Sequence, residues 1–391
     1  MIQVFEHQSL KKDEDVFTDK HLQALEHFLG DNDERVFPYY SLIHNGVRFR
    51  QYVGVICVGD LVIEVLPKTD SVDEDKGKWQ SRLLHMLSRV YKLEVRTPSN
   101  APQDHQSNSP ILDIFINRFL LEVDKLLNRG LVKCYHKEDG NRKALKGKLL
   151  IGKHVTTNFV HKERFCVRHT IYDQEHILNR ILRQAVSIIP RVTKNPQLRS
   201  HACSTLFNFP ELREVAITED LFNGLQFDRK TEDYREAVKI AKLLLLHFRP
   251  KNTAGKYDIL ALMFDMNKLW EEYVYVILKK QFTKHVVRAQ PRHSFWENKI
   301  IQPDIVIYEQ SGENPLIIID TKWKCPTDNK PSDADLKQMF VYHIYWHVSN
   351  TVLLYPDTGR QPFSGQFQKT KNLIDFSGLK CHMMYFPIFD I

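Results

Sequence analysis

Asp304, Asp320 and Lys322 are the residues of this chain whose types and spacing point most directly to chemistry. They lie within residues 301–324, IQPDIVIYEQSGENPLIIIDTKWK. This stretch reads as two apolar runs, 301–309 and 315–321, separated by the turn residues Ser311, Gly312 and Glu313. An antiparallel hairpin centred on Gly312 sets Asp304 opposite Asp320, and directly opposed residues lie roughly 4.5–5.5 Å apart at Cα. Lys322, two positions beyond Asp320, emerges on the same strand face, and Thr321 points the other way. Two close carboxylates raise each other's cost of ionisation. A divalent cation removes that cost, and Mg²⁺ prefers oxygen ligands at roughly 2.0–2.1 Å. An acid pair with a neighbouring lysine therefore suits activation of water and stabilisation of charge on a phosphoryl oxygen. The plain alternative is a solvated strand end. Against it stand the run Leu316 to Ile319, which brings the charges out of a buried strand, a second acid preceded by Pro303, and a following helix that carries a glutamine.

Pro303-Asp304 followed by Asp320-Thr321-Lys322 resembles the PD-(D/E)xK nuclease signature. Its surroundings fit as well: a helix over 267–285 containing LWEEYV, the hairpin, a helix over 332–347 containing QMFVY, and a strand over 351–355. More narrowly, the chain resembles the McrC family, the nuclease subunit of McrBC-type, 5-methylcytosine-specific restriction systems. The blocks that carry the resemblance occur in order: YVGVI and IEVLPK near the N-terminus, Lys146-Gly147-Lys148 and DQEHILNRIL in the middle, then FDMNKLWEEYV, IIIDTKWK, QMFVY and LLYP. The resemblance implies a Mg²⁺-dependent DNA endonuclease. Asp304, Asp320 and the Thr321 backbone carbonyl would hold the metal, and Lys322 would assist the attacking water. It also implies a McrB-like AAA+ GTPase hexamer as partner, which recognises modified DNA and on which the N-terminal half docks. Two other readings are a non-catalytic adaptor that activates the motor and an autonomous nuclease.

Around this centre, Glu271 sits where some PD-(D/E)xK nucleases carry a helix acid; it is a weak metal-ligand candidate or part of a solvated helix face. Gln338 and Tyr342 share a helix face. Gln338 is a catalytic candidate that positions the lysine or touches DNA, Tyr342 is expected to pack, and Asp335 is expected to be exposed. His343 and His347 lack a third ligand at suitable spacing, so no zinc site is expected.

Residues 141–168 are the most basic stretch, with eight Lys or Arg against the single acid Glu163. Lys143, Lys146, Lys148 and Lys153 are DNA-binding candidates, with a solvated, partly stranded surface as the equal alternative. Within it, GKLLIGKH fits G-x-x-x-x-G-K but lacks the Ser or Thr that would hold Mg²⁺. Leu149 to Ile151 read as packed strand residues, and no direct nucleotide binding is expected.

The length of 391 residues favours more than one domain. The expectation is α+β: a strand-rich docking region over 1–96, a largely helical region over 111–250 and an α/β PD-(D/E)xK nuclease domain over 251–391. Residues 97–110, TPSNAPQDHQSNSP, read as a linker, 69–76 as an acidic loop, and 173–189 as a helix stopped by Pro190. A net charge of +7 is compatible with nucleic acid. The chain has no apolar run long enough to span a membrane and no signal-peptide pattern at its start. Six scattered cysteines without a C-x-x-C pair fit a reducing cytoplasm.

Overall fold

The structure is a computed structural model that describes residues 1–13, 15–30, 38–69, 75–93, 109–251, 257–326, 330–357, 359–368, 376 and 378–388. The linker expected over 97–110 and the acidic loop over 69–76 fall largely outside the described residues. The fold is mixed α+β and divides into two compact units. One joins Met1–Ile114 to Arg249–Ile391, and the other is Phe115–Phe248.

In the first unit, Ile2–Phe5 lies parallel to Leu61–Leu66, which pairs antiparallel with Tyr52–Val58. The next strand is Ile259–Asp265, in register from Val58↔Ile259 to Tyr52↔Asp265. The segment expected to form a separate domain from 251 thus gives its first strand to the N-terminal sheet. The reason is apolar: six of the seven residues of Ile259–Asp265 are buried, and Ile259, Ala261 and Met263 share one core with Ile56, Ile63 and Phe28. Gly54 permits the contact, because a Cβ there would lie 2.2 Å from the Leu262 carbonyl oxygen.

Asp265 ends that strand and caps the helix Met266–Gln281, accepting from the Asn267 and Lys268 amides. The chain then builds a six-stranded sheet in the order Val286–Ala289, Ile305–Tyr308, Pro315–Thr321, Asn350–Pro356, Lys380–Phe386, Phe363–Gln366. The two central contacts, Pro315–Thr321 with Asn350–Pro356 and the latter with Lys380–Phe386, are parallel. The helix Asp333–Trp346, capped by Ser332, makes the crossover between the first two of these strands and packs Met339, Tyr342 and Trp346 on the sheet.

The second unit contains a long antiparallel ribbon, Cys134–Arg142 against Phe165–Asp173, edged by Lys148–Leu149. Its helices Ile177–Val192 and Arg235–Leu246 bury Ile181, Leu182, Ala185, Ala241 and Leu244. Two expectations change here. Asp173 ends a strand and does not begin a helix, and the helix runs through Pro190 to Val192. So near the C-terminus, the proline costs one hydrogen bond and leaves the last turn intact, and the Thr193 amide still reaches the Ile189 carbonyl at 3.0 Å. Among the described residues no helix is long and apolar enough to cross a membrane.

Candidate active site

The hairpin forms in the expected register: Ile305 faces Ile319 and Val306 faces Ile318. Gly312, at φ 76°, takes the left-handed turn position that a side chain would resist. Continuing that register by one residue brings Asp304 and Asp320 to the same end of the pair. Asp320 is buried to 1% exposure, and Asp304, just before its strand, is half-buried.

Each acid is held differently. Asp304 Oδ2 accepts from the Thr321 amide at 2.7 Å and from Thr321 Oγ1 at 2.9 Å. Thr321 therefore turns its hydroxyl toward the acid pair, contrary to strict strand alternation, because it is the last strand residue and its hydroxyl finds a charged acceptor there. Asp320 Oδ1 accepts from Gln338 Nε2 at 3.2 Å. The Lys322 ammonium forms an ion pair with Asp320 Oδ2. That oxygen is buried, and the Lys322 ammonium is its close partner.

Gln338 is the hub. Its Oε1 accepts from Lys322 Nζ at 3.3 Å while its Nε2 serves Asp320 and, at 2.8 Å, the Tyr342 hydroxyl. Tyr342, expected only to pack, lies within donating distance of the Gln302 carbonyl at 3.1 Å and of Asp320 Oδ1 at 3.4 Å. Asp335, expected to be exposed, is buried. It pairs with Lys324 at 2.7 Å and lies 3.8 Å from Lys322. Burial works against its charge, but Lys324, Ser332 and Lys322 outweigh it and hold the carboxyl below its ordinary pKa.

Burial, and then the Asp304 charge, push the Asp320 pKa up to about 6 against the opposing pull of Lys322. Burial also pushes Glu271 up to about 7, with Asp304 as the next cause and Asp320 contributing. Glu271 therefore stands within electrostatic reach of both acids and is more than a solvated helix residue. Burial opposes the Lys322 ammonium, yet Asp320, Asp335 and Asp304 together hold its pKa above the ordinary value. Gln290 is a further residue without a sequence signal. In a left-handed conformation, it donates its amide to the Asp304 carbonyl at 2.8 Å and its side chain to Glu271 Oε1 at 2.8 Å.

The turn beyond Lys322 is fixed from the N-terminal strand. Trp323 Nε1 donates to Glu6 Oε1 at 2.8 Å, and the Trp323 ring meets Trp270 and Trp79 with centroids 5.4 and 6.5 Å away. Burial raises the Glu6 pKa to about 7, even though the Lys68 amide and Trp323 both donate to it.

The basic stretch is built otherwise. Lys143, Lys146 and Lys148 are exposed and form no ion pair among the described residues, whereas Lys153 pairs with Asp139 at 3.2 Å beside Arg168. Asp139 is held down to about 2, first by its hydrogen bond from Arg168. Gly152 and Lys153 lie in the short helix Ile151–Thr157, which has no buried residue. Ile151 is 69% exposed, so the packed strand expected at that position is absent.

Residues 47–356 match the profile of the McrBC 5-methylcytosine restriction system component family. The chain belongs to that family. The type IV methyl-directed restriction enzyme EcoKMcrBC of Escherichia coli (strain K12) is 20% identical over 177 residues, covering 44% of this chain and 50% of that protein. The chain thus spans about half the length of this curated relative. A refined half-complex from a tetradecameric assembly of Thermococcus gammatolerans McrB AAA+ hexamers with bound McrC contains a chain that superposes with a TM-score of 0.66. That alignment covers 99% of this chain and 94% of the other at 20% identity, a likeness of fold.

Proposed function

We propose that the chain is the endonuclease subunit of a McrBC-type restriction system, a Mg²⁺-dependent hydrolase of DNA phosphodiester bonds that works with an AAA+ GTPase motor. The observation that carries this reading is the cluster of Asp304, Asp320 and Lys322 at the end of a buried strand, knit together by Gln338. Membership of the McrBC family supports the system, and the solved relative with McrC on McrB hexamers supports the partner.

The residues fit a divalent cation. Asp320 has a buried oxygen whose close partner is the Lys322 ammonium, and the Asp304 charge raises the pKa of both Asp320 and Glu271. No set of three or more His, Cys, Asp or Glu side chains among the described residues is arranged to hold a metal. A two-carboxylate site suits Mg²⁺, which keeps several waters and takes one or two carboxylates. Asp304 and Asp320 would hold the ion with the Thr321 carbonyl, and Glu271, whose pKa both acids raise, is the further candidate ligand. When bound, the ion supplies Lewis-acid polarisation of the phosphoryl oxygen and lowers the pKa of water. Thr321 orients Asp304, Gln338 orients both Asp320 and Lys322, and the Lys322 ammonium stabilises the charge that builds on the phosphate.

The test is to combine the purified chain with a McrB-like AAA+ GTPase, and to follow nucleotide turnover and cleavage of methylated and unmethylated plasmid in Mg²⁺. The expected result is cleavage only with chain, motor and hydrolysable nucleotide together. Efficient specific cleavage by the chain alone would favour an autonomous nuclease. Motor stimulation without any cleavage would favour an adaptor.

A further inference from the structure

Just before Asp304 the chain forms a small ribbon of its own, His293–Trp296 against Lys299–Ile301, separate from the six-stranded sheet. Every residue of His293–Trp296 is exposed, including Phe295 and Trp296, the latter at 64%, and Ile300 on the facing strand is exposed as well. The base of the ribbon is held by Ile301, which packs against the sheet core, whereas a tryptophan left 64% exposed at its tip gains the fold little. We propose that this ribbon is the element that engages duplex DNA beside the scissile phosphate, with Trp296 set against or between bases and Arg292 and Lys299 on the phosphates. The proposal rests on the nuclease reading and deepens it by naming how the substrate is held.

Three observations carry it. The first is continuity with the site: Gln302 and Pro303 alone separate the ribbon from Asp304, and the Gln302 carbonyl lies 3.1 Å from the Tyr342 hydroxyl that touches Asp320. The base of the ribbon therefore adjoins the acid pair. The second is anchoring. The Phe295 ring meets Tyr345 at 5.4 Å and its carbonyl accepts from the Tyr345 hydroxyl at 3.3 Å, while the His293 ring meets Trp346 at 4.6 Å. The base is therefore pinned to the helix that supplies Gln338, and Trp296, which has no ring partner among the described residues, is left presented. The third is charge. Arg292 and Lys299 are exposed and have no ion pair among the described residues, and Glu297 is the one acid within the ribbon. An apolar tip between unpaired cations suits a polyanion with stacked bases. Side chains of this kind wedge between base steps or stack on bases, and a two-stranded ribbon fits the major groove.

Trp296 also provides the readout. Of the five tryptophans, Trp79, Trp270 and Trp346 are buried and Trp323 is half-buried, which leaves Trp296 as the exposed one. The experiment uses the full chain with its motor and a fluorescein-labelled duplex, with Ca²⁺ for binding and Mg²⁺ for cleavage. Wild type, Trp296→Ala, Trp296→Phe and Lys299→Ala are compared, with melting temperature as a fold control. The expected result is a roughly tenfold loss of duplex affinity in Trp296→Ala, matched by slower cleavage. Trp296→Phe should recover most of the loss, Lys299→Ala should lower the salt dependence of binding, and motor turnover should stay unchanged throughout. Tryptophan fluorescence should be quenched by the duplex in wild type and not in Trp296→Ala. A wild type that cuts, beside a Trp296→Ala variant of unaltered affinity and rate, would overturn the ribbon proposal and leave the nuclease reading standing. A variant that instead loses motor stimulation or self-association would place a protein on the ribbon and overturn it equally. A wild type that neither binds nor cuts duplex with its motor would sink both.

Discussion

The acid–lysine site and the basic stretch hold comparable concentrations of charge, yet the protein treats them in opposite ways. Asp320, Asp335 and Glu6 are buried, and Asp304 and Lys322 are half-buried; every one of these charges is fastened to named partners. Lys143, Lys146 and Lys148 stand in water, and Lys153 is neutralised by Asp139. Charge in water is cheap and interacts weakly, whereas charge removed from water must be compensated in detail. Burial, rather than charge density, is therefore what separates a candidate centre of chemistry from a surface. The sequence makes the second region look more conspicuous than it is, because a count of lysines carries no information about solvent.

The largest effect that would break this contrast lies in the buried cluster. Asp304→Ala, Asp320→Ala and Lys322→Ala should each lower plasmid cleavage by about a thousandfold or more, and double variants should lose little further, because the three act as one unit. Wild-type rates in Asp320→Ala would remove the assignment.

The next effect concerns the cost of burial itself. The Glu6 carboxyl keeps its proton up to about 7 in the folded protein, against an ordinary value of 4.5. Between those values the folded state binds the extra proton. Its contribution to stability is thus present at low pH, declines as pH rises through this window and is lost above about 7. Glu6→Gln, which keeps an acceptor for Trp323 and Lys68, should flatten that decline by roughly 3 kcal/mol. Urea midpoints at pH 5 and pH 8 for wild type and variant would measure it; equal pH dependence in the two would show that Glu6 is solvated.

The smallest effect belongs to the surface. If Lys143, Lys146 and Lys148 track phosphates, their replacement by Ala should weaken duplex binding similarly for all sequences. The slope of log K against log salt should shrink by up to about 0.9 per contact. An unchanged slope would assign these residues to another partner.

What could be read from the sequence was local. The hairpin register followed from Gly312 and two apolar runs, and it places Ile305 opposite Ile319 as the turn dictates. The pairing of Lys322 with Asp320 followed from alternation along one strand. The misses were of two kinds. Asp335 looks like any acid in the first turn of a helix, and its burial depends on Lys324 and Lys322 arriving from another element. Gln290 acts through a left-handed backbone position, which no periodicity announces. Likewise nothing local in Ile259–Asp265 says that its neighbour is Tyr52–Val58.

That last pairing has a consequence for how the protein is made. On the ribosome the N-terminal sheet emerges early, but the strand that covers Tyr52–Val58 is translated only after all of Phe115–Phe248. The nascent chain must carry an incomplete, apolar sheet edge through the synthesis of an entire intervening unit. Such unpaired edges are where aggregation and chaperone capture begin. Yield in cells should therefore depend on translation speed between these two segments, and a gene cut near codon 250 would separate a sheet from its own strand.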